Sequence, residues 1–208
     1  MRPFLFVVKF VNITEYLLFL AITKTSPGNT MNRLLIILIA SGMVLASGQA
    51  QAWEPDTSNK LELSVAQALI KARKKDPAMA KWFDTAYAYA VLPRVGKGGI
   101  GIGGAHGKGI VIHGDRTVGK TSMSQITIGF QLGGQVYAQY IMFRDKTAFD
   151  HFTRGNFEMG AQVSAVAITL GASADANYDG GVAVFTIAEG GLMYEASIGG
   201  QKFKYKAK

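Results

Sequence analysis

From Pro93 to Gly114 the chain reads Pro-Arg-Val-Gly-Lys-Gly-Gly-Ile-Gly-Ile-Gly-Gly-Ala-His-Gly-Lys-Gly-Ile-Val-Ile-His-Gly. Nine of these 22 residues are glycine, and Ile100, Ile102, Ile110 and Ile112 stand among them at strand spacing. Each glycine inside a helix costs about 1 kcal/mol relative to alanine, so a helix is excluded here. What remains is extended chain that bends sharply and lets another backbone or a ligand come close.

Two nucleotide-binding patterns occur in this region by letter, and each fails on what must follow it. Gly99 to Gly104 fits G-x-G-x-x-G. That fingerprint needs a helix to open at its end, because the helix N-terminus holds the pyrophosphate. Ala105-His106-Gly107-Lys108-Gly109 and the β-like run Ile110 to His113 come next instead. Gly114 to Thr121 fits the P-loop letters. A P-loop also leads into a helix, whereas Ser122 to Phe130 alternates, with Ile126, Ile128 and Phe130 on one face. Residues 114–121 are therefore expected to be a polar loop between strands, and no nucleotide is expected to bind.

The N-terminus places the chain in a compartment. Met31-Asn32-Arg33, an apolar run from Leu34 to Ala46, and Ala50-Gln51-Ala52 have the form of a secretory signal peptide cleaved after Ala52. The run is short for a membrane anchor and lacks a charged stop-transfer flank. Residues 1–30 read as an over-extended start. Residues 53–208 then carry 18 basic and 13 acidic side chains, a net charge of +5. With export, that balance suits an anionic lipid surface and points away from nucleic acid. There is no cysteine, which removes disulfides, thiolate zinc sites and lipoprotein anchoring. Periplasm or cell envelope is the expected location.

After a linker at 53–61, a single domain is expected over 62–208. Ser64 to Gln67 has the form of a capping box, with Val65, Ala68, Leu69 and Ala72 at helical spacing and Lys71, Arg73, Lys74 and Lys75 on the other side. Asp76-Pro77 ends that helix and starts another, striped by Met79, Trp82, Phe83 and Ala86. Tyr87, Tyr89 and Val91 then alternate. Ser122–Phe130 and Gln135–Phe143 read as a hairpin turning at Gly133-Gly134. Asp145 caps a short helix with Ala148, Phe149 and Phe152 inward, ending near Gly155-Asn156. Phe157–Ala172 and Gly181–Ala188 read as strands, and a last hairpin turns at Glu189-Gly190-Gly191 and runs on to Lys208. The fold class is α+β, mainly β: a strongly curved antiparallel sheet or closed barrel, with N-terminal helices and one inserted short helix.

No catalytic constellation emerges. His106, His113 and His151 lack metal-ligand spacing, no G-x-S-x-G elbow occurs, and Glu158, Glu189 and Glu195 show nothing of an acid–base pair. No enzyme activity, cofactor or metal is expected. At the C-terminus Lys202, Lys204, Lys206 and Lys208 alternate with Phe203, Tyr205 and Ala207, so a strand would gather four ammonium groups on one face. Such a row guards a sheet edge or meets acidic head groups.

Ala88-Tyr89-Ala90-Val91-Leu92-Pro93, Lys97 to Gly104, Gly107-Lys108-Gly109 and Ile128 to Gln135 together resemble the SYLF domain family, and Phe157 to Ala161 and Glu189 to Leu192 fit its later blocks. The resemblance runs over about residues 62–203. It implies a non-catalytic domain that binds phosphoinositides and other anionic lipids; some yeast members also bind actin. Eukaryotic relatives usually carry Trp-Ser where this chain has Thr121-Ser122, and no SH3 or FYVE module accompanies it. Actin binding is accordingly not carried over. The expected partner is anionic phospholipid or a membrane surface, in a bacterial exported member. The cations in the matching blocks, Arg94, Lys97, Lys108 and Lys120, with Lys202 and Lys204, are the expected lipid-binding residues. An outer-membrane β-barrel, or a structural or interaction module of the envelope, is the alternative.

Overall fold

Asn59 opens the first helix. Its side-chain oxygen accepts from the amides of Leu61 and Glu62, and α1 runs Lys60–Lys75. The cap lies five residues before the Ser64 of the capping-box reading; Ser64 lies inside the helix and its hydroxyl donates back to the Lys60 carbonyl. A computed structural model of the chain describes residues 53–100, 102–128, 133–160, 163–190 and 198–208. The segments 1–30 and 31–52, Gly129 to Leu132, Glu195 and the far side of the turn expected at 189–191 lie outside the described residues.

Helix α2 (Met79–Thr85) follows, then strands β1 (Ala88–Ile100), β2 (Ile102–His113), β3 (Arg116–Ile128) and β4 (Gly133–Phe143). Helix α3 (Lys146–Thr153), capped by Asp145 as expected, precedes β5 (Phe157–Glu158), β6 (Ala165–Ala167), β7 (Val182–Gly190) and β8 (Lys202–Ala207). The strands form one sheet in the order β5-β8-β3-β2-β1-β4-β7-β6. All pairings are antiparallel except β6 with β7. The sheet curls into a half-barrel with β5 and β6 at its edges among the described residues, the α+β, mainly β class expected from the sequence.

Three strand expectations are corrected. β3 and β4 do not pair: the β1–β2 hairpin lies between them, so the Gly133-Gly134 doublet marks where the chain reaches the hairpin's other flank. β8 pairs with β3 and β5, on the side of the sheet away from β7. Residues 157–172 hold two short strands on opposite edges instead of one long one. The P-loop letters are likewise not a loop: only Gly114 and Asp115 turn, Gly114 at φ +60°, and β3 begins at Arg116.

Both faces of the sheet are packed. The inner, concave face holds Leu92, Val95, Ala105, Met123, Ile141 and Phe143 against Phe152 of α3, Phe157 and Phe203. The outer face of the same strands packs Tyr89, Val91, Ile110, Ile112 and Tyr140 against Val65, Leu69 and Ala72 of α1 and Met79 and Phe83 of α2. Tyr140 Oη donates to the Ala68 carbonyl at 2.8 Å and pins α1 in place. Proline is tolerated in a central strand only where the ladder breaks, since it has no amide to donate. Pro93 sits at such a break: register shifts between Val91 and Arg94 on one side and between Leu92 and Val95 on the other. The bulge reverses the alternation, so Leu92 and Val95, three apart, both face inward.

Candidate functional site

Past the Pro93 bulge, α1 and α2 no longer cover the outer face. Register places Arg94 of β1, Lys108 of β2, Ser122 of β3 and Lys204 of β8 in one row across four strands. The adjacent outward row toward the helices is Ile110, Lys120 and Lys206, and the one away from them is His106, Ser124 and Lys202. Residues two apart on a strand share a face, so all these side chains leave the sheet on the same side. Arg94, Lys108, Lys120, Lys202, Lys204 and Lys206 are all exposed.

Five of the six residues expected from the sequence are thus brought together. Lys97 is not among them. It has the parity of the buried Val95 and stands opposite Ala105, which belongs to the inner cluster. Partial burial holds its ammonium pKa below the ordinary lysine value. Lys206 was missed, although the alternating lysines contain it; strand order was needed to set it beside Lys120.

Two grooves border this face. A groove of about 670 Å³ runs between α1 and the bent strands, with Arg94, Gly96, His106 and Lys108 on the sheet side. Ser64, Gln67 and Lys71 line the helix side, and Lys71 Nζ pairs with Glu189 Oε1 at 2.8 Å. A smaller hollow of about 210 Å³ is ringed by Lys108, Lys120, Lys204 and Lys206, with Leu61 and Tyr205. Glu62, at the start of α1, is buried, accepts from the Asp56 amide at 2.8 Å and lies 3.7 Å from Lys208 Nζ.

The charge on this face is unbalanced. Among the described residues Lys202 has Glu158 at 3.7 Å, but no carboxylate forms an ion pair with Arg94, Lys108, Lys120, Lys204 or Lys206. Two like pairs are directly opposed across strands, Arg94 with Lys108 and Lys120 with Lys206. Directly opposed like charges destabilise a sheet by a few tenths of a kcal/mol to about 1 kcal/mol. An anion laid across the rows would remove that cost. Among the described residues no cluster of three His, Asp or Glu side chains is placed to hold a metal ion.

Residues 124–207 match the family model Ysc84, described as "Las17-binding protein actin regulator". These residues include β4, β7 and β8 and the end of β3. Over these residues the chain matches the SYLF, or Ysc84, domain. The chain is also 35% identical over 139 residues to Beta cell expansion factor A of Aeromonas veronii, covering 65% of this chain and 52% of that protein. It therefore spans about half the length of this curated relative. Among the described residues no helix is long and apolar enough to cross a membrane.

Proposed function

We propose that this SYLF domain is a non-catalytic lipid-binding module of the bacterial cell envelope, which takes anionic phospholipid head groups on the outer face of β1, β2, β3 and β8. The observation that carries the reading is the set of cations Arg94, Lys108, Lys120, Lys204 and Lys206, none in an ion pair among the described residues and two pairs of them directly opposed. A fold that keeps like charges in register bears a cost that a bound anion offsets. Each cation close to an anionic bilayer contributes about 1 kcal/mol, so five supply about 5 kcal/mol of attraction. The face is broad and open, which suits a surface of phosphates better than one small solute. The family supports a shared domain, and the location rests on the signal-like segment at 31–52.

Co-sedimentation with vesicles tests this. Binding is expected with phosphatidylglycerol-containing vesicles and not with pure phosphatidylcholine, and it should fall steeply with salt. Lys108→Glu and Lys204→Glu should each weaken it by about 2 kcal/mol, roughly thirty-fold. Arg154→Glu, at the exposed end of α3, should leave it nearly unchanged. Equal binding to both vesicle types, or none to either, refutes the proposal, as does a stoichiometric nucleotide signal.

A further inference from the structure

Beyond the cations the same outer face ends in isoleucine. Ile102 of β2 is 71% exposed and Ile126 of β3 is 81% exposed. Ile126 stands opposite Gly104, and Ile102 opposite Ile128, so Ile102 and Ile126 are diagonal neighbours on adjacent strands. Such neighbours lie about 7–8 Å apart, close enough to act as one apolar patch.

The exposure of Ile126 follows from register. A strand isoleucine is normally covered by its cross-strand partner, but Gly104 has no side chain to offer. Gly104 is itself opposite Gly98, and Gly98 opposite Gly134, giving three bare positions in a row across β2, β1 and β4. Packing does not impose this at Gly104 or Gly134. A Cβ at Gly104 would come only within 3.4 Å of the Gln125 carbonyl, one at Gly134 within 3.8 Å of the Lys97 carbonyl, and one at Gly96 would meet nothing within 4 Å. Gly99 in the same hairpin is different, since a Cβ there would lie 2.3 Å from the Gly103 Cα. The fold thus leaves two isoleucines uncovered beside a low glycine surface where it has room for covering side chains.

We propose that Ile102 and Ile126 form a wedge that enters the acyl boundary of an anionic bilayer while the cation rows hold its head groups. This rests on the head-group reading above and adds an apolar anchor to it. The occupant follows from the charge on the face: the patch shares that face with Arg94, Lys108, Lys120, Lys204 and Lys206, which a second copy of the chain, equally basic there, would repel. At about 3.4 Å per residue, the wedge lies about 20 Å along the strands from Lys108 and Lys120. A tilt of about 25° over that lever lowers it by about 8 Å, within the 5–10 Å depth typical of interfacial anchors.

The chain has no cysteine, so single labels are clean. Ile102→Cys, Ile126→Cys and Thr147→Cys, the last exposed on α3, would each carry an environment-sensitive NBD fluorophore. With phosphatidylglycerol vesicles the labels at 102 and 126 should shift to the blue and be quenched by lipids carrying a shallow nitroxide, and the label at 147 should do neither. The double variant Ile102→Asn/Ile126→Asn should bind about thirty-fold more weakly with an unchanged salt slope. Vesicle binding with solvent-like labels at 102 and 126 would overturn the wedge and leave the head-group reading standing. No vesicle binding by the unlabelled chain would overturn both. A blue shift without vesicles that grows with protein concentration would assign the patch to self-association and overturn the wedge.

Discussion

The β1–β2 hairpin has one outer face but two kinds of surface on it. On the near side of Pro93, Tyr89, Val91, Ile110 and Ile112 lie dry beneath α1 and α2. On the far side the outward positions are Arg94, Gly96, Gly98, Ile102, Gly104, His106 and Lys108, and those with described side chains are exposed. The strands, their pairing and the direction of the side chains are continuous through the bulge. What changes is the covering layer and, with it, the residue types. One hairpin thereby serves as core scaffold at one end and presents an exposed, cation-bearing surface at the other, so the exposed end is braced by the buried one.

The glycines of the hairpin divide in a related way, and substitution at them should give the largest contrast. Gly109 is forced by packing: a Cβ there would come 2.2 Å from the Val91 carbonyl oxygen, an atom of the backbone that cannot swing aside. Gly109→Ala should cost about 3 kcal/mol, the upper range for overpacking a core. Gly96→Ala, where the Cβ meets nothing within 4 Å, should be neutral or stabilising by about 0.5 kcal/mol, because alanine loses less entropy on folding. Urea unfolding of the two variants reads both. Similar losses at the two positions would show that the far side is as tightly constrained as the near side, and the comparison would fail.

Local features were legible in the sequence, and partners across the sheet were not. The stripes Val65, Ala68, Leu69, Ala72 and Met79, Phe83 follow from helical periodicity alone, as does the Asp145 cap. Period two likewise told which residues of one strand share a face. It could not tell which strands are neighbours, because that depends on contacts far apart in the chain. Hence alternation alone makes Gly133-Gly134 a hairpin turn although the β1–β2 hairpin separates its flanking strands, and groups Lys97 with Lys108 although the two leave opposite faces. Ile102 and Ile126 were visible as strand residues. The exposure of Ile126 was not, since it depends on the glycine set opposite it by register.

The covered side has a polar clasp with a definite pH signature. Asp76, between α1 and α2, is buried. Its carboxylate accepts from the Ser173 hydroxyl at 2.6 Å, the Ser173 amide at 2.9 Å and the Ala78 amide at 3.1 Å, while Trp82 Nε1 donates to the Ser173 carbonyl at 2.8 Å. Burial pushes the carboxyl pKa up, but these hydrogen bonds together outweigh it and hold the group below its ordinary value. A group with a depressed folded pKa stabilises fully above its unfolded pKa of about 4 and loses that contribution as pH falls through the folded value. Asp76→Asn should cost about 2 kcal/mol at pH 7, typical for hydrogen bonds to a charged group. The gap to the unmodified chain should close as pH drops below 4. A gap that is constant from pH 7 to pH 3 would place the loss in shape instead of charge.

The smallest effect expected is the most direct test of whether the bare side is held at a cost. Lys120 and Lys206 are directly opposed with no carboxylate between them. Lys206→Glu converts that pair from repulsive to attractive, so it should stabilise the free protein by about 0.5 kcal/mol at low salt. Screening should erase the gain near 1 M salt, where the Debye length is about 3 Å. The same change should weaken binding to phosphatidylglycerol vesicles. A lysine that only guards an exposed strand would behave differently, because replacing one charge by another keeps the guard and leaves vesicle binding untouched. Gain of stability together with loss of vesicle binding is therefore the outcome that separates an interaction surface from a solvated edge, and a stability gain with unaltered binding would assign these lysines to the edge.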